Sequence, residues 1–118
     1  MSETTAARDA KVSALISKDL EGLPGKELLM LSVEYMPAGA DPVHVHRAQA
    51  MLYVLEGSIV MQVKGGAPVT LKAGDTFYEG PNDVHVVGKN VSDTAPARFI
   101  VFLVKDKDAP ALIPVNER

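Results

Sequence analysis

Turn-forming residues break this chain at intervals of about eight to twelve positions, and the apolar runs between them are too short for helices. The breaks fall at Gly22 with Pro24-Gly25, at Pro37 with Gly39, at Glu56-Gly57, at Gly65-Gly66 with Pro68, at Gly74-Asp75, at Gly80-Pro81-Asn82-Asp83 and from Asp93 to Pro96. Strands are predicted near Val12–Ser17, Lys26–Met36, Val43–His46, Met51–Leu55, Ser58–Lys64, Val69–Lys72, Thr76–Glu79, His85–Lys89 and Ala97–Val104. Leu28 to Leu31 has helical propensity, but it runs on into the alternating Ser32-Val33-Glu34-Tyr35 and reads as strand. The pattern therefore predicts an all-β sandwich or barrel with essentially no helix. A chain of 118 residues fits one such domain with one core. Residues 1–11 are polar and charged and are expected to be flexible. The domain then spans 12–118, with its core at about 26–105 and a C-terminal arm over 106–118.

The strand Ala97–Val104 is apolar on both faces: Phe99, Val101 and Leu103 alternate with Ile100, Phe102 and Val104. One face fills the interior, so the other needs a second cover. The arm carries Pro110 and Pro114 in an apolar context and reads as an extended segment laid on a surface. A homodimer buries both features most simply, and an intramolecular cover is the alternative.

Charge and composition exclude several functions. A net charge of −3 lacks the basic excess with which proteins displace counterions from a nucleic-acid backbone, so no nucleic-acid partner is expected. With no cysteine there is no disulfide, thiolate metal site or cysteine nucleophile. The least charged stretch, Val91 to Val104, is interrupted by Asp93, Pro96 and Arg98, well short of the ~20 apolar residues of a spanning helix. No membrane partner is expected. The polar start carries no secretory apolar region, which points to the cytoplasm, or to the periplasm if a leader has been removed.

Any metal must then sit on histidine, carboxylate or amide ligands, and the chain has three histidines. His44 and His46 stand two apart on a predicted strand, so their imidazoles face the same way and can reach one ion at about 2.0–2.1 Å. Alone, such a pair fits either a metal site or two solvated or structural histidines. His85 follows a turn, where a packed, hydrogen-bonded histidine is the common case.

Taken together, these segments resemble the cupin family. A first motif runs Gly39-Ala-Asp-Pro-Val-His44-Val-His46-Arg-Ala-Gln49-Ala50-Met-Leu-Tyr53-Val-Leu-Glu-Gly57, and a second runs Gly74-Asp-Thr-Phe-Tyr-Glu-Gly80-Pro-Asn82-Asp-Val-His85-Val-Val-Gly-Lys-Asn90. The resemblance covers about residues 26–105. It implies a double-stranded β-helix, or jelly-roll, barrel holding one divalent metal through His44, His46 and His85, with Fe²⁺ or Mn²⁺ the usual ion. The sequence departs from the family pattern where an acidic ligand is expected four residues after the second histidine: Ala50 stands there. Gln49 is the nearest substitute, although strict alternation turns it away from the pocket. Loss of the acid lowers affinity for hard ions and lets Zn²⁺, Ni²⁺ or Cu²⁺ compete.

Acid–base candidates near the ligands are Tyr53, Glu34, Tyr35, Tyr78 and Glu79, each on a strand where an outward position is equally compatible with the pattern. Arg47 and Arg98 could hold a substrate carboxylate, though solvated positions suit them better. Two functions fit the sequence. One is a metalloenzyme (oxygenase, lyase or isomerase) acting on a small carboxylate or carbonyl compound. The other is a non-catalytic small-ligand binder or sensor with a structural metal or none.

Overall fold

A computed structural model of the protein describes residues 10–45, 47–110 and the backbone of 113–114. Among the described residues there are ten strands: β1 (Ala10–Asp19), β2 (Lys26–Tyr35), β3 (His44–Val45), β4 (Gln49–Glu56), β5 (Ser58–Val63), β6 (Val69–Lys72), β7 (Thr76–Glu79), β8 (His85–Asn90), β9 (Ala97–Asp106) and β10 (Ile113–Pro114). They form two five-stranded antiparallel sheets, ordered β1-β2-β9-β4-β7 and β10-β3-β8-β5-β6. The two sheets enclose one core, and no helix occurs among the described residues.

The period-2 pattern becomes rows of packed side chains. Leu31, Val101 and Leu52 are register partners across β2, β9 and β4, and Val33, Phe99 and Val54 form the next row. All six point inward and are buried. Burying a side chain of this size contributes about 1.5–3 kcal/mol, so rows of this kind hold the first sheet to the second. Ile59, Met61 and Leu71 close the core from the opposite sheet. The chain crosses from β4 in one sheet to β5 in the other at Gly57, whose φ is +82° and where a Cβ would stand 2.9 Å from the Ala97 Cβ and the Pro96 carbonyl. Only glycine fits both conditions.

Most strand ends move by one or two residues from the sequence-based expectation, and three of the differences have a clear physical reason. β1 begins at Ala10, inside the stretch expected to be flexible, because Ala10 and Lys11 continue the ladder against Tyr35 and Glu34. β9 extends to Asp106, where Lys105 is buried and its ammonium lies 2.8 Å from the Glu27 carboxylate. Part of the C-terminal arm is a strand: Ile113 and Pro114 pair with Val45 and His44 of β3 in the same chain. Among the described residues Phe102, on the outer face of β9, stays exposed beside Met51 of β4.

Candidate metal centre

His44 on β3 and His85 on β8 are direct register partners, so their side chains share the inward face. Both are buried, with 1% and 3% of their surface exposed. Their rings meet edge to face with centroids 4.6 Å apart, and His44 Nε2 lies 3.1 Å from His85 Nδ1. A bulge in β8 sets this geometry. Gln62 pairs with Val87 while Val63 pairs with His85, so Val86 is the additional residue that shifts the alternation and turns His85, Gly88 and Asn90 inward.

The carboxylate comes from the other sheet. On β7 the inward positions are Phe77 and Glu79, which face Leu52 and Ala50 of β4 across the ladder. Glu79 is 4% exposed, and its Oε2 lies 2.8 Å from His85 Nδ1. Ligand atoms of His44, Glu79 and His85 all fall within 4.8 Å of one another, a span that one ion can draw together. The tautomer of His44 suits such a role. Its Nδ1 donates to the Pro42 carbonyl at 2.7 Å, which leaves the Nε2 lone pair aimed at the cluster, the usual outer-shell arrangement of a metal-bound imidazole.

Two further groups complete the polar floor. Tyr35 is fully buried and donates its hydroxyl to Asp41 Oδ2 at 2.5 Å. Burial, then the adjacent Asp41 carboxylate, pushes the Tyr35 phenol well above its ordinary range, so it stays protonated. Gly88 lets both rings approach the β8 backbone, since a Cβ there would stand 3.0 Å from His85 Nε2 and from the Tyr35 hydroxyl oxygen. A cavity of about 110 Å³ opens on this floor, walled by Leu31, Val33, Leu52, Phe77, Phe99 and Val101 among others.

The sequence-based candidates separate accordingly. His44, His85, Tyr35 and Glu79 lie inside the barrel. His46 lies outside the described residues. Gln49 does not join the cluster: it is exposed at the start of β4 and accepts a hydrogen bond from the Tyr78 hydroxyl, as alternation with the buried Ala50 requires. Tyr53 and Tyr78 are likewise on the outer face, and Glu34 alternates with the buried Val33 and Tyr35. Arg47 is exposed, and Arg98 is exposed and pairs with Glu56 at 3.2 Å. Position 50 carries no acid, but its register partner Glu79 does, so the cluster contains a carboxylate. Asp41, unremarked in the motif, lines the cavity. The shared phase of Phe77 and Glu79 was the one sequence signal that Glu79 faces inward.

Residues 31–103 match the family model of the cupin domain. Germin-like protein 5-1 of Oryza sativa subsp. japonica is 32% identical over 98 residues, covering 76% of this chain and 44% of that protein. The chain spans about half the length of the germin-like proteins it matches. Among solved structures, an oxalate oxidase superposes with a TM-score of 0.70 at 22% identity, over 91% of this chain and 55% of that one. An uncharacterized conserved protein with a double-stranded β-helix domain from Klebsiella pneumoniae subsp. pneumoniae MGH 78578 superposes with a TM-score of 0.69 at 23% identity, over 91% and 86% of the two chains. These likenesses concern the fold.

Proposed function

This chain belongs to the cupin family, and from that premise we propose that it holds one divalent metal in the barrel through His44, His85 and Glu79, with His46 of the His-x-His pair as a further ligand. The observation that carries this reading is the buried cluster itself, two imidazoles and a carboxylate gathered from both sheets. With Glu79 as a hard oxygen donor, Fe²⁺ and Mn²⁺ regain the advantage that Ala50 had removed, and Zn²⁺, Ni²⁺ and Cu²⁺ compete on the imidazoles. A bound ion would supply Lewis-acid or oxygen-activating chemistry to a small molecule in the cavity. The chain's own residues hold and orient that ligand: Tyr35 and Asp41 form a fixed donor–acceptor pair on the floor, and the apolar walls exclude water. Oxalate oxidase and a DMSP lyase are enzymatic precedents among the structural neighbours.

The protein is further proposed to be a cytoplasmic homodimer. The exposed apolar side chains of Met51, Tyr53, Tyr78 and Phe102 lie together on the outer face of the first sheet, where a second copy would cover them.

Metal analysis of tag-free protein, with His44→Ala and Glu79→Gln beside it, tests the metal reading. Near-stoichiometric metal in the wild type and depletion in both variants supports it; metal content unchanged by either substitution overturns it. Substrate turnover that disappears in His85→Ala would mark an enzyme, whereas ligand binding without turnover would mark the non-catalytic binder.

A further inference from the structure

The charge balance of the cavity bears on what it can take. Its described lining contains two carboxylates, Asp41 and Glu79, two imidazoles, His44 and His85, and no lysine or arginine. The two residues the sequence offered to hold an anion, Arg47 and Arg98, are exposed and stand outside the lining. Imidazoles that bind a metal are neutral, so a divalent ion is matched by Asp41 and Glu79 alone. A dicarboxylate entering this space would add two negative charges among apolar walls, where the charge of the ion is already matched and the described lining offers no lysine or arginine, which burial penalises heavily. A neutral ligand adds none.

Volume sets the second limit. At about 110 Å³ the cavity is somewhat smaller than the roughly 150 Å³ engineered cavity that takes up benzene. The walls are aliphatic and aromatic, and the polar groups sit on one side around the two histidines. Such a space suits a compact apolar body with one polar end directed at the floor.

On these grounds, and resting on the metal reading above, we propose that the cavity selects a neutral carbonyl compound with a compact apolar body over carboxylates and dicarboxylates, its carbonyl oxygen facing the ion held by His44, His85 and Glu79. Asp41 is the residue that sets this preference. Tyr35 holds it in place as a hydrogen-bond acceptor, and it contributes a negative charge without belonging to the metal cluster.

The test uses the full chain titrated with Co²⁺, whose visible absorption reports its ligands. Cyclopentanone, cyclobutanecarboxylate and oxalate are then added separately at constant ionic strength, with both the Co²⁺ spectrum and thermal stability recorded. The expected result is a spectral change and a rise in Tm with cyclopentanone, at a Kd at least tenfold below that of either anion. Asp41→Asn should narrow that gap several-fold while Co²⁺ loading persists. Oxalate or cyclobutanecarboxylate binding as tightly as cyclopentanone overturns the proposal, as does failure of all three to perturb the loaded protein. If Co²⁺ does not load, the metal reading fails instead. The selectivity is then judged on the metal-free protein by thermal shift, where stabilisation by cyclopentanone alone supports it and stabilisation by the anions overturns it.

Discussion

Ala50 and Glu79 face each other across the β4–β7 ladder, and the carboxylate missing from one is present on the other. Register partners in an antiparallel pair have Cβ atoms roughly 4.5–5.5 Å apart, and a glutamate side chain can span that gap. Moving the acid from Ala50 to Glu79 should therefore be reversible. Glu79→Ala is expected to lower metal affinity by at least tenfold, and adding Ala50→Glu to that variant should recover most of the loss. Ala50→Glu alone should destabilise the fold by about 1–3 kcal/mol, because it forces a second acid into a packed interior. Metal titration and chemical denaturation of the three variants read both effects.

Metal should stabilise the fold in proportion to its concentration. At 100 times the Kd, a ligand specific to the native state contributes about 2.7 kcal/mol. Thermal unfolding with added metal and with a chelator should separate by several degrees in the wild type, and His44→Ala should lose most of that separation.

Tyr35 predicts an alkaline limit. Burial beside Asp41 raises its folded-state pKa well above the unfolded value of about 10. Its stabilising contribution is therefore complete below pH 10 and declines as pH rises beyond that, since the unfolded chain releases the phenolic proton first. One of the three tyrosine ionisations, followed by absorbance near 295 nm, should coincide with unfolding. Tyr35→Phe should unlink that ionisation from the transition.

Gly88→Ala tests the packing of the floor. Its new Cβ would meet His85 Nε2 and the Tyr35 hydroxyl oxygen at 3.0 Å, so one of the two must shift. A stability loss of about 1–3 kcal/mol is expected by denaturation, together with weaker metal binding.

The outer face of the first sheet should govern self-association. Phe102→Glu places a charge at the centre of the exposed apolar patch, and sedimentation should show dissociation to monomer with metal content retained.

Much of the fold was legible in the sequence because turn residues and period-2 alternation are local signals. The strand boundaries at Val69–Lys72 and Thr76–Glu79 follow directly from Gly65-Gly66, Gly74-Asp75 and Gly80-Pro81. His44 and His85, which meet in the buried cluster, could be singled out because each stands in a recognisable motif. Glu79 could be named only as one of several acids, since its meeting with His85 depends on which strand β7 pairs with and in what register, a long-range property. Asp41 was overlooked because its role arises from Tyr35, which reaches it from a neighbouring strand inside the barrel. β10 was read as an arm because two residues of ladder carry almost no local pattern.

The bulge at Val86 makes the histidine pair a matter of counting. His85 faces His44 because β8 carries one residue more than β5 requires at that point. Were the bulge smoothed out so that Val86 itself opposed Val63, the ladder would be evenly paired, yet His85 would swing to the opposite side of the sheet. The site could thus be abolished by a change that leaves every histidine and carboxylate in the chain, and a protein so altered would still carry the complete set of motif residues while having no centre.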